Sequence, residues 1–551
     1  TSKQQRTLES LYRPTIRITN GHSFMMNADP VILETIHRRM TFFEAKTHSP
    51  FQPKKKMFHH PRKVSFFSPK VGRFATGLLP IIISELNDLD VQYNRIDERN
   101  PLPQLYSNWD HSIKLPPPPP IPQKPVTKTK RKKAAAKDTQ LEVEPATETT
   151  ATTSPDDQAT EDDIAHLRVF DLQPPDLESK RVDDSLLLPT VKLHDFQVES
   201  INFALANHRG IIKCATGGGK TMILASLIKA LGDDVTVVIL VTKRSLVTQI
   251  YDSLKATGVC QPGRVSSDYF EPSRVTISTL KSAHKIADLC RSAQVMMVDE
   301  VHEFASPSAR QTFKMFDNAY SRFGFSATPF KVGDPVHNHR IISVFGTLLC
   351  DISTQDLTKI DILSNAYIHF YPINYPLQRK TTITSFHDVE SRLVAENEHL
   401  NQSIAKLVES IPTGRIMILV KRLAHGDALS ELIPDAYWVK GDDGVETREF
   451  VLNKLKHSKN EKVVAIFSAI GYVGVDVRIH HLINASGGKD PNMTLQKLGR
   501  GLRKADDKTH LDYHDFFFSP KVHKALSAHS SSRMSVLRRE GHQVIMEPEL
   551  P

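Results

Sequence analysis

At 551 residues the chain is long enough for two or three domains with sizeable cores. Its 39% hydrophobic and 24% charged content suits a folded protein in water. No run of 18 apolar residues is available for a membrane helix, so a membrane partner is not expected. Seventy-one Lys and Arg against 62 Asp and Glu leave a net charge of +9, which fits a polyanionic partner without naming one. Cys214, Cys260, Cys290 and Cys350 form no C-x-x-C pair. That argues against a zinc site or disulfide framework and for a reducing compartment. The opening Thr1-Ser-Lys-Gln-Gln-Arg6 has no apolar stretch of a secretory signal, so an intracellular, soluble protein is expected.

In chain order, residues 1–112 read as a small mixed α+β domain. Thr15-Ile-Arg-Ile-Thr19 and Lys63-Val-Ser-Phe-Phe67 alternate like strands, and Gly77 to Leu86 reads as a helix or a buried strand. Arg38, Arg39, Lys54 to Lys56, Arg62, Lys63, Lys70 and Arg73 are interleaved with Phe42, Phe43, Phe51, Phe58, Phe66 and Phe67. Cations for phosphates and rings for bases suit a nucleic-acid surface, whereas an ordinary core would hold the same rings. Residues 113–166 form a linker: five prolines from Pro116, the basic run Lys128 to Lys133, then an acidic Thr/Ala-rich tract too polar to order itself. Residues 167–350 and 351–551 each alternate apolar strands with helical stretches, as parallel α/β sheets do. Tandem domains of this kind leave a cleft suited to a nucleotide.

The chemistry starts at Gly210-Ile-Ile-Lys-Cys-Ala-Thr-Gly-Gly-Gly-Lys-Thr221, an apolar strand followed by Thr216, Gly217, Gly218, Gly219 and Lys220 and then a helical run. Glycines let backbone N–H groups converge on phosphates, and a helix N-terminus adds positive potential. Lys220 would reach the β- and γ-phosphates of ATP and Thr221 would ligate Mg²⁺. Cys214 stands where the general loop pattern has its first glycine. Val295-Met-Met-Val-Asp-Glu-Val-His302 is a strand ending in two carboxylates. Asp299 would hold Mg²⁺, and Glu300 would orient and deprotonate the attacking water. Arg500 and Arg503 lie three apart, so on a helix they share a face, from which they would oppose the charge that develops during phosphoryl transfer.

The ordered set Leu193-His-Asp-Phe-Gln197, A-T-G-G-G-K-T, Val241-Thr-Lys-Arg244, Ile277-Ser-Thr-Leu280, D-E-V-H, Ser326-Ala-Thr328, Gly474-Val-Asp476 and Gln496-Lys-Leu-Gly-Arg-Gly-Leu-Arg503 resembles the superfamily 2 helicases over about residues 190–505. Within that superfamily, Val439-Lys-Gly-Asp-Asp443, the run from Gln496 to Lys504 and His514-Asp-Phe-Phe517 look most like phage UvsW-type branch-migration helicases. The resemblance implies two tandem RecA-like domains and a DNA-binding N-terminal module. It implies that Gln197 reads adenine, that Gly474 and Asp476 lie by the nucleotide, and that Gln496 joins the catalytic set. It further implies that Ser326, Ala327 and Thr328 couple hydrolysis to domain movement, and that Thr242, Lys243, Ser278 and Thr279 touch the nucleic-acid backbone. The expected activity is ATP-dependent helicase or translocase action by a monomeric motor on forked or branched DNA. An RNA helicase and a nucleic-acid-binding scaffold with an inactive ATPase stay open as alternatives.

Overall fold

The structure, a computed structural model, describes residues 13–44, 62–99, 193–331, 333–374, 385–441, 443–459, 461–468 and 477–548. The expected linker, the cationic run at Lys54, Phe51, Phe58, Gly474 and Asp476 lie outside the described residues.

The N-terminal part carries strands β1 (Thr15–Ile18), β2 (His22–Met26), β3 (Thr41–Glu44), β4 (Arg62–Ser65), β5 (Phe67–Ser68), β6 (Arg73–Ala75) and β7 (Asn94–Asp97), with helices α1 (Pro30–Arg39) and α2 (Leu79–Asp88). A mixed sheet of order β5-β6-β2-β1-β7 sits beside the two-stranded ribbon β3-β4. The stretch from Gly77 thus resolves as a helix. Its Ile82 and Leu86 join Ile16 and Ile18 in a buried cluster. That cluster continues without a break into Ile211, Val238, Leu240 and Val298 of the next unit, so the small module shares a core with its neighbour.

The first lobe is an eight-stranded sheet built from β8 (Arg209–Cys214), β9 (Val237–Val241), β10 (Pro262–Val265), β11 (Phe270–Glu271), β12 (Val275–Thr279), β13 (Val295–Asp299), β14 (Ser321–Ser326) and β15 (Leu348–Ile352). Its order is β11-β10-β12-β9-β13-β14-β8-β15. Every pairing is parallel except β10 with β11. Central strands such as β9 are apolar throughout and buried at every position, as a sheet covered on both faces requires. Helices α3 (Asp195–Asn207), α4 (Lys220–Leu231), α5 (Arg244–Thr257) and α6 (Pro335–Phe345) flank the sheet.

The second lobe is a seven-stranded, wholly parallel sheet of β16 (Asn365–Ile373), β17 (Gly414–Val420), β18 (Tyr437–Val439), β19 (Lys462–Ser468), β20 (His481–Asn484), β21 (His510–Phe518) and β22 (Gln543–Met546). The order is β18-β19-β17-β20-β21-β16-β22. Helices α7 (Leu423–Leu432), α8 (Pro491–Gly501) and α9 (Lys524–Arg539) complete what the site needs. The boundary expected at residue 350 falls inside β15, an edge strand of the first sheet. One apolar cluster joins the lobes, running from Cys214 and Ile223 through Leu357 and Leu363 to Phe370 and Leu511.

Candidate active site

The loop after β8 turns into α4 through Gly217 at φ 94° and Gly219 at φ 79°. Side chains rarely adopt these angles, which is why glycine occupies both positions. The departure at Cys214 has a packing reason. Its buried sulfur fills the space beneath the loop, where a Cβ on Gly218 would come within 2.5 Å of Sγ. Burial pushes this thiol up to about 11, so it acts as a small apolar plug. Gln197 is 5% exposed. Its Nε2 donates to the Gly218 carbonyl at 3.1 Å, and its Oε1 accepts from the His194 amide at 3.0 Å. The glutamine therefore spans the start of α3 and the phosphate loop.

Lys220, at the start of α4, reaches Glu300 Oε1 at 3.5 Å. Burial opposes its charge, yet Glu300 and then Asp299 hold it above the ordinary lysine range. Burial, followed by the neighbouring Glu300 carboxylate, pushes Asp299 up to about 6. Glu300 moves the other way: burial opposes its charge, but Lys220 and then His302 keep it below the usual glutamate value. Glu300 also has φ 51°, an uncommon backbone for a non-glycine residue and one often tied to function. Sheet order explains the next contact. β14 lies between β8 and β13, so Ser326 at its end stands between the loop and the acids. Its hydroxyl donates to Glu300 Oε2 at 3.3 Å and lies 2.9 Å from His302 Nδ1. The same oxygen accepts from the Thr328 amide at 3.1 Å. Ala327 and Thr328 are buried beside it.

From the second lobe, α8 lies on the phosphate loop. A Cβ on Gly499 would come 2.6 Å from the Thr216 Cβ, and one on Gly217 would meet Leu363 Cδ2 at 2.8 Å. Gln496 faces His302, Glu303, Lys331 and Arg340 across a cleft of about 500 Å³. Arg500 occupies the last turn of α8, but Arg503 is beyond its end and bridges Leu363 through the backbone. The expected shared helical face is thereby corrected. Gly501 packs against Leu511, and the Lys508 ammonium takes the carbonyls of Gly501 and Arg503, closing the helix before Arg503.

The residues expected to touch a nucleic-acid backbone divide in two. Thr242 and Lys243 sit at the end of β9, where the Thr242 hydroxyl donates to Glu303 and Lys243 Nζ lies 3.8 Å from the same carboxylate. Ser278 and Thr279 are buried instead. Ser278 Oγ donates to the Thr279 carbonyl, and the Thr279 hydroxyl caps the following turn through the Ser282 amide. Their side chains offer no open surface in this arrangement, because β12 is covered on both faces. Sequence reasoning missed the counterparts in the second lobe. Lys421 and Arg422 follow β17 as Lys243 and Arg244 follow β9, and both reach Glu390, Lys421 Nζ at 2.5 Å and Arg422 Nη2 at 3.3 Å. The repeated run Ile239-Leu-Val-Thr-Lys-Arg244 and Ile418-Leu-Val-Lys-Arg422 was the available signal.

In the N-terminal module, the Phe42 ring packs tilted against His339 of α6, with centroids 4.3 Å apart, and Phe66 lies 5.4 Å from the same ring. Phe67 is buried against Phe74. Glu44 pairs with Arg340 of α6 at 2.7 Å. Of the four described rings in this run, Phe43 alone is exposed, at 63%. Three of the four described rings thus serve the core and the seam to the first lobe, while Arg38, Arg62, Lys63, Lys70 and Arg73 are on the surface.

Two α/β lobes with a phosphate loop, paired acids and a helix of the second lobe lying on that loop form one composite site, the arrangement expected of the superfamily 2 helicases that the chain resembles. Within that superfamily the chain resembles the phage UvsW type. Residues 190–331 match the family described as the type III restriction enzyme res subunit. The chain is 24% identical over 344 residues to the ATP-dependent DNA helicase uvsW of Enterobacteria phage T4, covering 58% of this chain and 67% of that one. It is 25% identical over 374 residues to the DNA 3'-5' translocase XPB2 of Sulfurisphaera tokodaii, covering 59% of this chain and 83% of the relative. Among solved structures, a fragment of a putative HsdR subunit of a type I restriction enzyme from Vibrio vulnificus shares the fold, with a TM-score of 0.50 at 16% identity over 70% of this chain and 72% of that one.

Proposed function

We propose that this protein is an ATP-dependent DNA translocase and helicase that remodels forked or branched DNA. The contact of Gly499 with Thr216 carries the reading, because it makes one site out of both lobes and lets hydrolysis move one against the other. The loop amides and Lys220 would hold the phosphates, and Gln197, bonded to the Gly218 carbonyl, would read the adenine as the resemblance implies. The two positive-φ glycines and the helix N-terminus form the cradle that a nucleotide triphosphate needs. Thr221 and Asp299 would hold Mg²⁺, which neutralises phosphate charge when bound. Glu300 orients the attacking water and accepts its proton, held in place by Lys220, His302 and Ser326. Arg500, with Arg503 at the lobe seam and Gln496 beside His302, supplies positive and polar groups from the second lobe. Gly474 and Asp476 lie outside the described residues, and the resemblance alone assigns them to the nucleotide.

Thr242 and Lys243 in the first lobe, and Lys421 and Arg422 in the second, grip the backbone on either side of the cleft. Each pair then travels with its lobe through the cycle. The curated relatives' names, a DNA helicase and a DNA translocase, favour DNA as the track. The exposed cations of the N-terminal module fit a branched duplex beside the motor. One preparation assayed for ATP-dependent unwinding of forked DNA, a four-way junction and an RNA duplex tests the reading. Activity on the first two and not the third is expected; preferential RNA unwinding rejects it.

A further inference from the structure

We propose that Lys497 is a positioning residue that fixes the pose of α8, and with it Gln496 and Arg500, over the phosphate loop. This rests on the ATP-hydrolysis reading above. Lys497 is 5% exposed, and its ammonium donates to Asn484 Oδ1 at 2.9 Å, Ser486 Oγ at 2.6 Å and the Gly487 carbonyl at 3.1 Å. All three acceptors belong to the end of β20 and the turn after it. At roughly 100° per residue, Gly499 lies about 200° around the helix from Lys497. The lysine therefore anchors the face of α8 opposite the one that meets Thr216.

The anchor is itself held. Arg533 of α9 donates to the Gly488 carbonyl at 2.7 Å and to both oxygens of Asp515. Asp515 Oδ2 in turn accepts from Asn484 Nδ2 at 2.8 Å. A chain of directed contacts thus runs from α9 through β21 and the β20 turn to α8. For packing alone a methionine would serve at lower desolvation cost. Three directed bonds instead fix the helix in translation and rotation, which the placement of a charge-stabilising side chain demands.

Three acceptors match three N–H donors, and a neutral amine has only two to give. The charged groups facing Lys497 are Arg533 from α9, Asp515 from β21, Lys421 from the end of β17 and Asp490 from the turn before α8. Burial and then Arg533 push its amine down to about 7. One anchoring bond is therefore lost as pH rises through and above neutrality, and turnover falls with it.

The test uses the full chain and forked-DNA-stimulated ATPase, with nucleotide affinity from a fluorescent ADP analogue. Lys497→Met is expected to lower kcat about tenfold or more while leaving ADP affinity within about threefold. Arg500→Ala, costly in the wild-type background, is expected to cost less than about twofold in the Lys497→Met background, since a finger already out of place has little left to lose. Ser486→Ala keeps charge and packing but removes one acceptor. It is expected to lower kcat a few-fold and to move the alkaline limb of the pH profile to lower pH. If Lys497→Met does not fold, Ser486→Ala decides: wild-type kcat and an unmoved limb overturn the proposal. With both variants folded, multiplicative losses for Lys497→Met and Arg500→Ala overturn it too. A folded wild-type chain with no Lys220-dependent ATPase rejects the hydrolysis reading and this inference together. An active wild type with multiplicative losses rejects the inference alone.

Discussion

Gly499→Ala puts the two-lobe site to its most direct test. The added Cβ would sit 2.6 Å from Thr216 Cβ and 3.2 Å from its Cγ2 and Oγ1, where ordinary contact begins at 3.4 Å. Thr216 Cβ is one bond from the backbone of the loop and cannot swing away. The lobes must part by roughly 1 Å, a misplacement that can cost on the order of 100-fold in rate. That corresponds to about 2.7 kcal/mol of lost transition-state stabilisation. The helix itself gains from the change, since alanine is about 1 kcal/mol better than glycine in a helix interior. The fold should therefore survive, and the atoms nearest the new Cβ all belong to Thr216 rather than to Lys220 or Gly219. The assay is steady-state ATP hydrolysis with saturating forked DNA, alongside the affinity for a fluorescent ADP analogue. A kcat down by one to two orders of magnitude with ADP affinity kept within about threefold is expected. Turnover within twofold of wild type would show that hydrolysis does not need this contact.

Lys220→Ala should lower ATP hydrolysis by about 100-fold or more without changing secondary structure by circular dichroism; appreciable turnover in that variant removes the phosphate-loop assignment. Arg533→Met leaves the fully buried Asp515 without its bidentate cation and should cost about 3–5 kcal/mol in the unfolding transition of the second lobe. An unchanged denaturation midpoint contradicts that. Acid should destabilise the fold below pH 6.5, because burial pushes His425 down to about 4. Between those values the unfolded chain binds a proton that the native chain refuses, so stability falls as pH falls, by about 3 kcal/mol for this residue. His425→Leu should flatten the acid limb of a Tm-against-pH series, and an equally steep limb counts against the assignment.

The strands that carry chemistry were legible because they are covered on both faces. β9 and β13 are apolar almost throughout, β17 and β19 carry runs of five apolar residues and β8 is built on Ile211-Ile212; each leads into polar or glycine-rich residues at the end where ligands sit. The edge strands were not. β11 has two residues and β22 has four, too few for any period to show. Conversely, β21 holds His510, Asp512, His514 and Asp515, whose polarity disguises a strand. Their contacts with the neighbouring β16, such as His369 to Asp512 at 3.2 Å and Tyr371 to His514 at 3.1 Å, explain the composition. Arg503 was misplaced for a local reason, since helical spacing cannot foresee a lysine closing the helix one turn early. The aromatics of the N-terminal module illustrate a limit of composition. Phe42, Phe66 and Phe67 have the sequence surroundings of base-stacking rings, but their partners are His339 and Phe74.

Sheet order supplies the link that a list of motifs lacks. Because β14 is inserted between β8 and β13, a hydroxyl at its end can bond the carboxylate just past β13 while its own backbone runs beside the strand that feeds the phosphate loop. Ser326 occupies that place, and the chain after it leads through Thr328 and Lys331 into α6, whose His339 and Arg340 hold the β3-β4 ribbon. A change at Glu300 is thus one contact, through Ser326, from the strand end that leads to the N-terminal module. Glu303, one turn beyond Glu300, holds Thr242 and Lys243. The residues proposed for hydrolysis and for backbone grip, and the seam to the module, thus lie in linked contacts of the first lobe. In the proposed cycle the second lobe acts by pressing α8 onto the phosphate loop, so the alignment of that helix is the variable that the Gly499→Ala and Lys497→Met variants change.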